Sequence, residues 1–183
     1  MAITWLMVRL SNMESKTKLF GHPVHPIVVA FPIALNTVAV LADVAYLITH
    51  DSTFAQMAFW LILLGVLAGL VAIVIGWRDW LAIPGNTRAK TIGLWHGLSA
   101  DVFTLLFALS WWFRMASPAA PSSIALIFSF IGLLVVPMVG WLGGELVFKH
   151  LIGVDRNAAN PTNSSLDTPQ PLNVRVGERA IKS

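Results

Sequence analysis

Four apolar runs, each long enough to cross a lipid bilayer, limit this chain to very few architectures. They fall at about residues 25–48, 54–76, 91–113 and 123–148, and roughly 20 apolar residues suffice for one helical crossing. Inside hydrocarbon every backbone N–H and C=O needs a partner within the protein, which leaves helices and closed barrels. Continuous runs of this length are helical, since a barrel strand is about 10 residues of alternating polarity. The connections around His50–Thr53, Ala82–Asn86 and Ser117–Pro121 are short, so consecutive helices run antiparallel. The expected fold class is therefore an all-α integral membrane four-helix bundle with up-down-up-down topology. A composition 56% hydrophobic and 11% charged fits a bilayer solvent and no soluble domain.

Charge placement sets the orientation. With four spans, Arg9, Lys16, Lys18, Arg78, Arg88, Lys90, Lys149 and Arg156 share one face, and Arg114 alone marks the other. The positive-inside rule then puts both termini in the cytoplasm and the protein in the cytoplasmic (inner) membrane. The same distribution makes the sequence pI of about 9.7 a record of insertion, with the lipid bilayer as partner and no nucleic acid. Residues 1–20 read as an interfacial arm. Its apolar patch Ile3–Leu10 is broken by Arg9 and lacks a small-residue cleavage site, so no signal peptide is expected. Residues 21–154 form the membrane domain, and residues 155–183 read as a disordered polar tail with Pro161, Pro169 and Pro171. No solenoid-type repeat is evident.

Several residues inside the spans predict packing. Gly65/Gly69 and Gly140/Gly144 are small-xxx-small pairs that offer close-approach faces, within the bundle or in an oligomer. Gly93 and Gly97 flank His96 in the same way. Pro26 suits a first helical turn, whereas Pro32 and Pro137 predict kinks. Ser52 or Thr53 is expected to cap the second helix, and Trp77 and Trp80 to mark its exit at the interface.

Chemistry-bearing residues converge on one end. Gly21-His22-Pro23-Val24-His25-Pro26 opens the first span, Asp79 follows the second, His96 lies one to two turns inside the third, and Glu145 and His150 close the fourth. Deeper in the first span, Asn36 and Asp43 fall within about 20° of His25 on the helical wheel, an inward stripe. Asp101 lies about 140° from His96, so the two cannot face one point. Cysteine is absent, so a metal must use His, Asp, Glu or Met.

Three functional readings follow. In the first, His25 and His96 ligate a haem b iron axially between helices. In the second, a transition metal takes His22 or His25, His96 and Glu145, with His150 as alternate and Asp79 as outer support. In the third, His25, Asn36 and Asp43 belong to a proton path. Each residue also has a structural alternative: a rigid helix start for the His-Pro run, interhelical hydrogen bonds for His96, Asp43 and Asp101, an interfacial charge for Asp79, and an i,i+4 ion pair with Lys149 for Glu145. No nucleophile–base pair, phosphate loop or zincin spacing is present, which argues against a stand-alone enzyme. One-sided ligands argue against a two-haem transmembrane wire.

The blocks Leu19-Phe20-Gly21-His22-Pro23-Val24-His25-Pro26, Gly76-Trp77-Arg78-Asp79-Trp80, His96-Gly97 and Trp141-Leu142-Gly143-Gly144-Glu145 resemble, in order, those of a bacterial family of four-span membrane proteins, domain of unknown function 2231. The likeness runs over about residues 19 to 156 and extends to Ile152-Gly153-Val154-Asp155. It implies a redox setting, because related domains are joined to Rieske-type iron–sulfur modules, and such a module is the partner it suggests. Relatives with histidine at the position of Glu145 imply a ligand role there. The sequence reading is thus a redox-associated membrane subunit binding haem or another metal at its cytoplasmic end, with a cofactor-free scaffold as the alternative.

Overall fold

A computed structural model describes residues 15–154; the apolar patch of the arm and the polar tail lie outside the described residues. A two-residue hairpin comes first. β1 (Lys18–Leu19) pairs antiparallel with β2 (His22–Pro23), and Phe20 and Gly21 turn the chain at φ 49° and 82°. The first span is divided into α1 (Val24–Val28) and α2 (Ala30–Thr49). The break at Val29 has its cause in Pro32, which gives no N–H to the Val28 carbonyl and crowds it with its ring.

Three long helices follow: α3 (Ser52–Ala82), α4 (Arg88–Arg114) and α5 (Ser123–Gly144), the last continued by a π-helical turn, Glu145–Lys149. All four spans are long and apolar enough to cross a membrane. Each helix packs on its sequence neighbours, and α2 meets α5 to close the bundle. Pro137 stays inside α5 without ending it. α3 runs six residues past the expected end at Gly76, because Trp77, Arg78, Asp79 and Trp80 remain helical.

The caps differ from expectation at one position. Asp51, rather than Ser52 or Thr53, caps α3 by accepting the Thr53 N–H at 2.8 Å. Bonds from Thr53 hold the Asp51 carboxyl below the usual aspartate range. That cap is complete above the ordinary aspartate pKa of about 3.9 and is lost as pH falls through the lowered value. Thr87 caps α4 and Ser122 caps α5 in the same manner.

Large apolar side chains face outward, with Leu134, Trp141 and Phe148 among the most exposed, while small residues such as Ala39, Ala55, Ala58 and Ala125 are sealed inside. In lipid there is no gain from hiding leucine from leucine, so close backbone approach decides what goes inside. Gly65 and Gly69 serve that purpose within the chain: a Cβ on Gly65 would lie 2.6 Å from Asn36 Oδ1, and one on Gly69 3.0 Å from Thr104 Oγ1. This face is therefore filled by the chain's own helices and is closed to an oligomer. Gly140 meets nothing within 4 Å and stays open.

Arg114 corrects the charge map. It is not a flanking cation but is fully buried, as is Asp43, and the two form a bidentate ion pair with N–O distances of 2.8 and 2.6 Å. Ser110 accepts from Arg114 Nε at 3.1 Å and Ser129 from Nη2 at 3.0 Å, so every polar atom of the cluster has a partner. Fully satisfied networks of this kind fix one arrangement of helices.

Candidate functional site: a paired-histidine cavity

Two histidines enter the bundle by the same device. His25, on α1, donates its Nδ1–H to the Ala72 carbonyl of α3 at 3.1 Å. His96, on α4, donates to the Val139 carbonyl of α5, also at 3.1 Å. A carbonyl can only accept, so in each ring Nδ1 carries the proton and neutral Nε2 keeps a lone pair. Glycine makes room four residues beyond each acceptor. A Cβ on Gly76 would come within 2.8 Å of His25 Cε1, and one on Gly143 within 3.1 Å of His96 Cε1. The two rings then meet edge to face, with centroids 6.2 Å apart.

Both rings line one cavity of about 340 Å3, together with Trp77, Asp79, Asp101 and a set of glycines. Trp77 and Trp80, at the exit of α3, are half-buried. They pack inward on Gly97 and Gly93, whose Cβ positions lie 3.0 and 2.8 Å from the indoles. Trp77 also donates Nε1–H to Asp101 at 3.2 Å. Asp101 thus turns toward α3 while His96 turns toward α5, as their wheel angle requires. Lys90 closes the connection from α3 to α4, giving Nζ–H to the Trp80 carbonyl at 2.6 Å and lying 3.7 Å over the Trp80 ring.

Asp79 is an anchor rather than a free interfacial charge. It accepts from Ser15 Oγ at 2.7 Å and from the Lys16 backbone N–H at 2.9 Å. These bonds hold residues 15–23 at the mouth of the cavity, which Ser15 and Pro23 help to line. Hydrogen bonds to a charged acceptor contribute about 1.5–3 kcal/mol each. Asp79→Ala is therefore expected to speed tryptic cleavage after Lys16 by on the order of tenfold, read on the solubilised protein with Asp79→Asn as the milder variant. Unchanged cleavage would show that the arm is held elsewhere.

The remaining sequence candidates fall outside this cavity. Glu145 pairs with Lys149 at 3.0 Å, one turn along the π-helical segment. His150 donates its backbone N–H to the Glu145 carbonyl and does not line the cavity. His22 is exposed on β2. Asn36 lies sealed against Gly65, its amide without a hydrogen-bond partner, and Asp43 is committed to Arg114. Among the described residues no three His, Asp or Glu side chains gather as a metal-ion set. The Ala72 and Val139 acceptors carry no mark in the sequence, because a backbone carbonyl is the same at every residue. Gly76 and Gly143 could have signalled them, as each is glycine where a histidine must pass.

A family model described as predicted membrane protein (DUF2231) matches residues 21–156. No curated protein and no solved structure matches the chain. The matched stretch takes in all four spans and both cavity histidines, so the chain belongs to the DUF2231 family of predicted membrane proteins.

Proposed function

We propose that the chain is a redox-associated membrane subunit that binds haem b between His25 and His96, with this cavity and both termini on the cytoplasmic side. One observation carries the reading: both histidines commit Nδ1–H to a backbone carbonyl, which leaves two Nε2 lone pairs beside one cavity. Metal-ligating histidines almost always hold their second nitrogen in this way, which fixes tautomer and ring orientation. The ring spacing has the length that one ion held by the two Nε2 atoms would need. About 2 Å from each nitrogen to the metal, and roughly 1 Å from nitrogen to ring centre, amounts to about 6 Å in all. The observed separation is 6.2 Å.

Donor number favours haem over a bare ion. Zinc and its neighbours take three or four protein ligands, whereas haem iron asks the protein for axial ligands alone. When bound, haem supplies one-electron transfer. The chain's part is to orient two imidazoles through Ala72 and Val139, to bring the rings together over Gly76 and Gly143, and to hold Asp79 at the mouth. The cations gathered near the termini support the cytoplasmic placement. A partner such as a Rieske-type module is the electron donor or acceptor this reading requires.

A second reading has its own support. The same two hydrogen bonds tie α1 to α3 and α4 to α5 without any cofactor, as a scaffold would need. Optical spectra of the full chain, expressed with haem supplied, separate the two. Haem binding predicts a Soret band with α and β bands on dithionite reduction, and loss of the bis-histidine spectrum in His25→Ala and in His96→Ala. A flat spectrum from folded protein, with lower thermal stability in the same variants, overturns the haem reading and leaves the scaffold.

A further inference from the structure

We infer that the bundle is two copies of one helical hairpin, each the docking partner of the other, and that Asp43 and Arg114 make their pairing one-way. A constant offset of 71 positions carries His25 to His96, Asn36 to Phe107, Ala39 to Ser110 and Asp43 to Arg114. In the second helix of each pair an offset of 67 carries Ala58 to Ala125, Ile62 to Ser129, Gly65 to Gly132, Ala72 to Val139 and Gly76 to Gly143. The offsets differ by four because the second hairpin is four residues shorter between Arg114 and Ala125 than the first is between Asp43 and Ala58: its helices stop sooner, although its connection, residues 115–122, is the longer one.

Equivalent positions make equivalent contacts. His25 bonds Ala72 and presses on Gly76, as His96 bonds Val139 and presses on Gly143. Asn36 sits 2.6 Å from the Cβ position of Gly65, and Phe107 2.6 Å from that of Gly132. The first and third spans run the same way through the bilayer, so the operation relating the hairpins is a rotation about the membrane normal. A position that touches its own equivalent lies on such an axis. His25 with His96, and Asp43 with Arg114, are two such contacts. The axis therefore runs through the cavity at one end and through the ion pair at the other.

Charge then decides who pairs with whom. Two first hairpins would set Asp43 against Asp43 inside the membrane, and two second hairpins Arg114 against Arg114. Like charges in that layer oppose self-pairing, while the mixed pair is neutral and bidentate, a specificity element of the kind that rejects wrong partners. The serines that complete the Arg114 shell, Ser110 and Ser129, stand where the first hairpin has Ala39 and Ile62, all four fully buried. The inference holds whatever occupies the cavity.

The test is made in the full chain. Asp43→Arg with Arg114→Asp reverses the pair but leaves the new arginine without serine partners. Adding Ala39→Ser, Ser110→Ala, Ile62→Ser and Ser129→Ile moves the whole cluster to its mirror position. The reversal alone is expected to lower Tm in detergent by about 5 °C or more, and the six-fold mirror to regain at least half of the loss. As a second, independent layer, Asn36→Phe with Phe107→Asn should keep a monodisperse protein, with the ring now on Gly65. A mirror no more stable than the simple reversal, or a chain that aggregates in both layers, overturns the inference.

Discussion

Arg114→Ala is expected to cost about 3–5 kcal/mol, more than any other single change considered, because it strands the Asp43 carboxylate in a sealed layer. Asp43→Ala strands the guanidinium and costs a similar amount. Both groups have no exposed surface, and the pair is bidentate. The expected result is loss of a monodisperse peak on size-exclusion of the solubilised protein, or a steep fall in its thermal midpoint. Asp43→Leu with Arg114→Met makes the argument specific. Replacing both charges by apolar groups of similar volume is often neutral, so the double variant should recover most of the lost stability. Single variants that behave as the parent would show that the pair contributes nothing.

Gly132→Ala ranks next. The added Cβ would stand 2.6 Å from Phe107 Cε2, and Phe107 is fully buried in the core with Phe103 and Ile62. The ring has no free space to take, and overpacking of this kind costs about 1–3 kcal/mol. Gly140→Ala is the matched control in the same helix, where the new methyl meets nothing within 4 Å. It should be neutral or gain up to about 1 kcal/mol from helix propensity. Thermal midpoints of the two variants check the contrast, and equal values would sink it.

The four crossings were legible because hydropathy over some 20 residues depends on composition alone. Their true lengths were not: Arg78 and Asp79 continue α3, and Arg88 and Lys90 begin α4, since helix geometry does not stop where hydrocarbon does. The convergence of His25 and His96 followed from depth, but the relation of each to a carbonyl depends on helix rotation, which periodicity leaves open. Arg114 stands beside a loop in the sequence, where a cation usually flanks the membrane, yet it is sealed inside the bundle. The sign of its role was present in Asp43, a carboxylate within a span that needs a cation. The hairpin repeat is hidden in the sequence because equivalent positions share contacts more than they share residues: Asn36 and Phe107 look unrelated until Gly65 and Gly132 opposite them are compared.

The length of α3 has a consequence for where the cavity lies. Its 31 residues extend about 46 Å at 1.5 Å per residue, against a hydrocarbon thickness of about 30 Å. The surplus of about 16 Å must be met by tilt, local thickening of the bilayer, or projection through the headgroups. The turn carrying Trp77, Arg78, Asp79 and Trp80 is the polar one, so projection falls at the histidine end. The paired imidazoles thus lie close to the headgroup boundary, within reach of the aqueous phase. Changing acyl-chain length in reconstituted vesicles would raise or sink the cavity mouth relative to water. Thin bilayers should open it to soluble reductants, and thick ones should shield it.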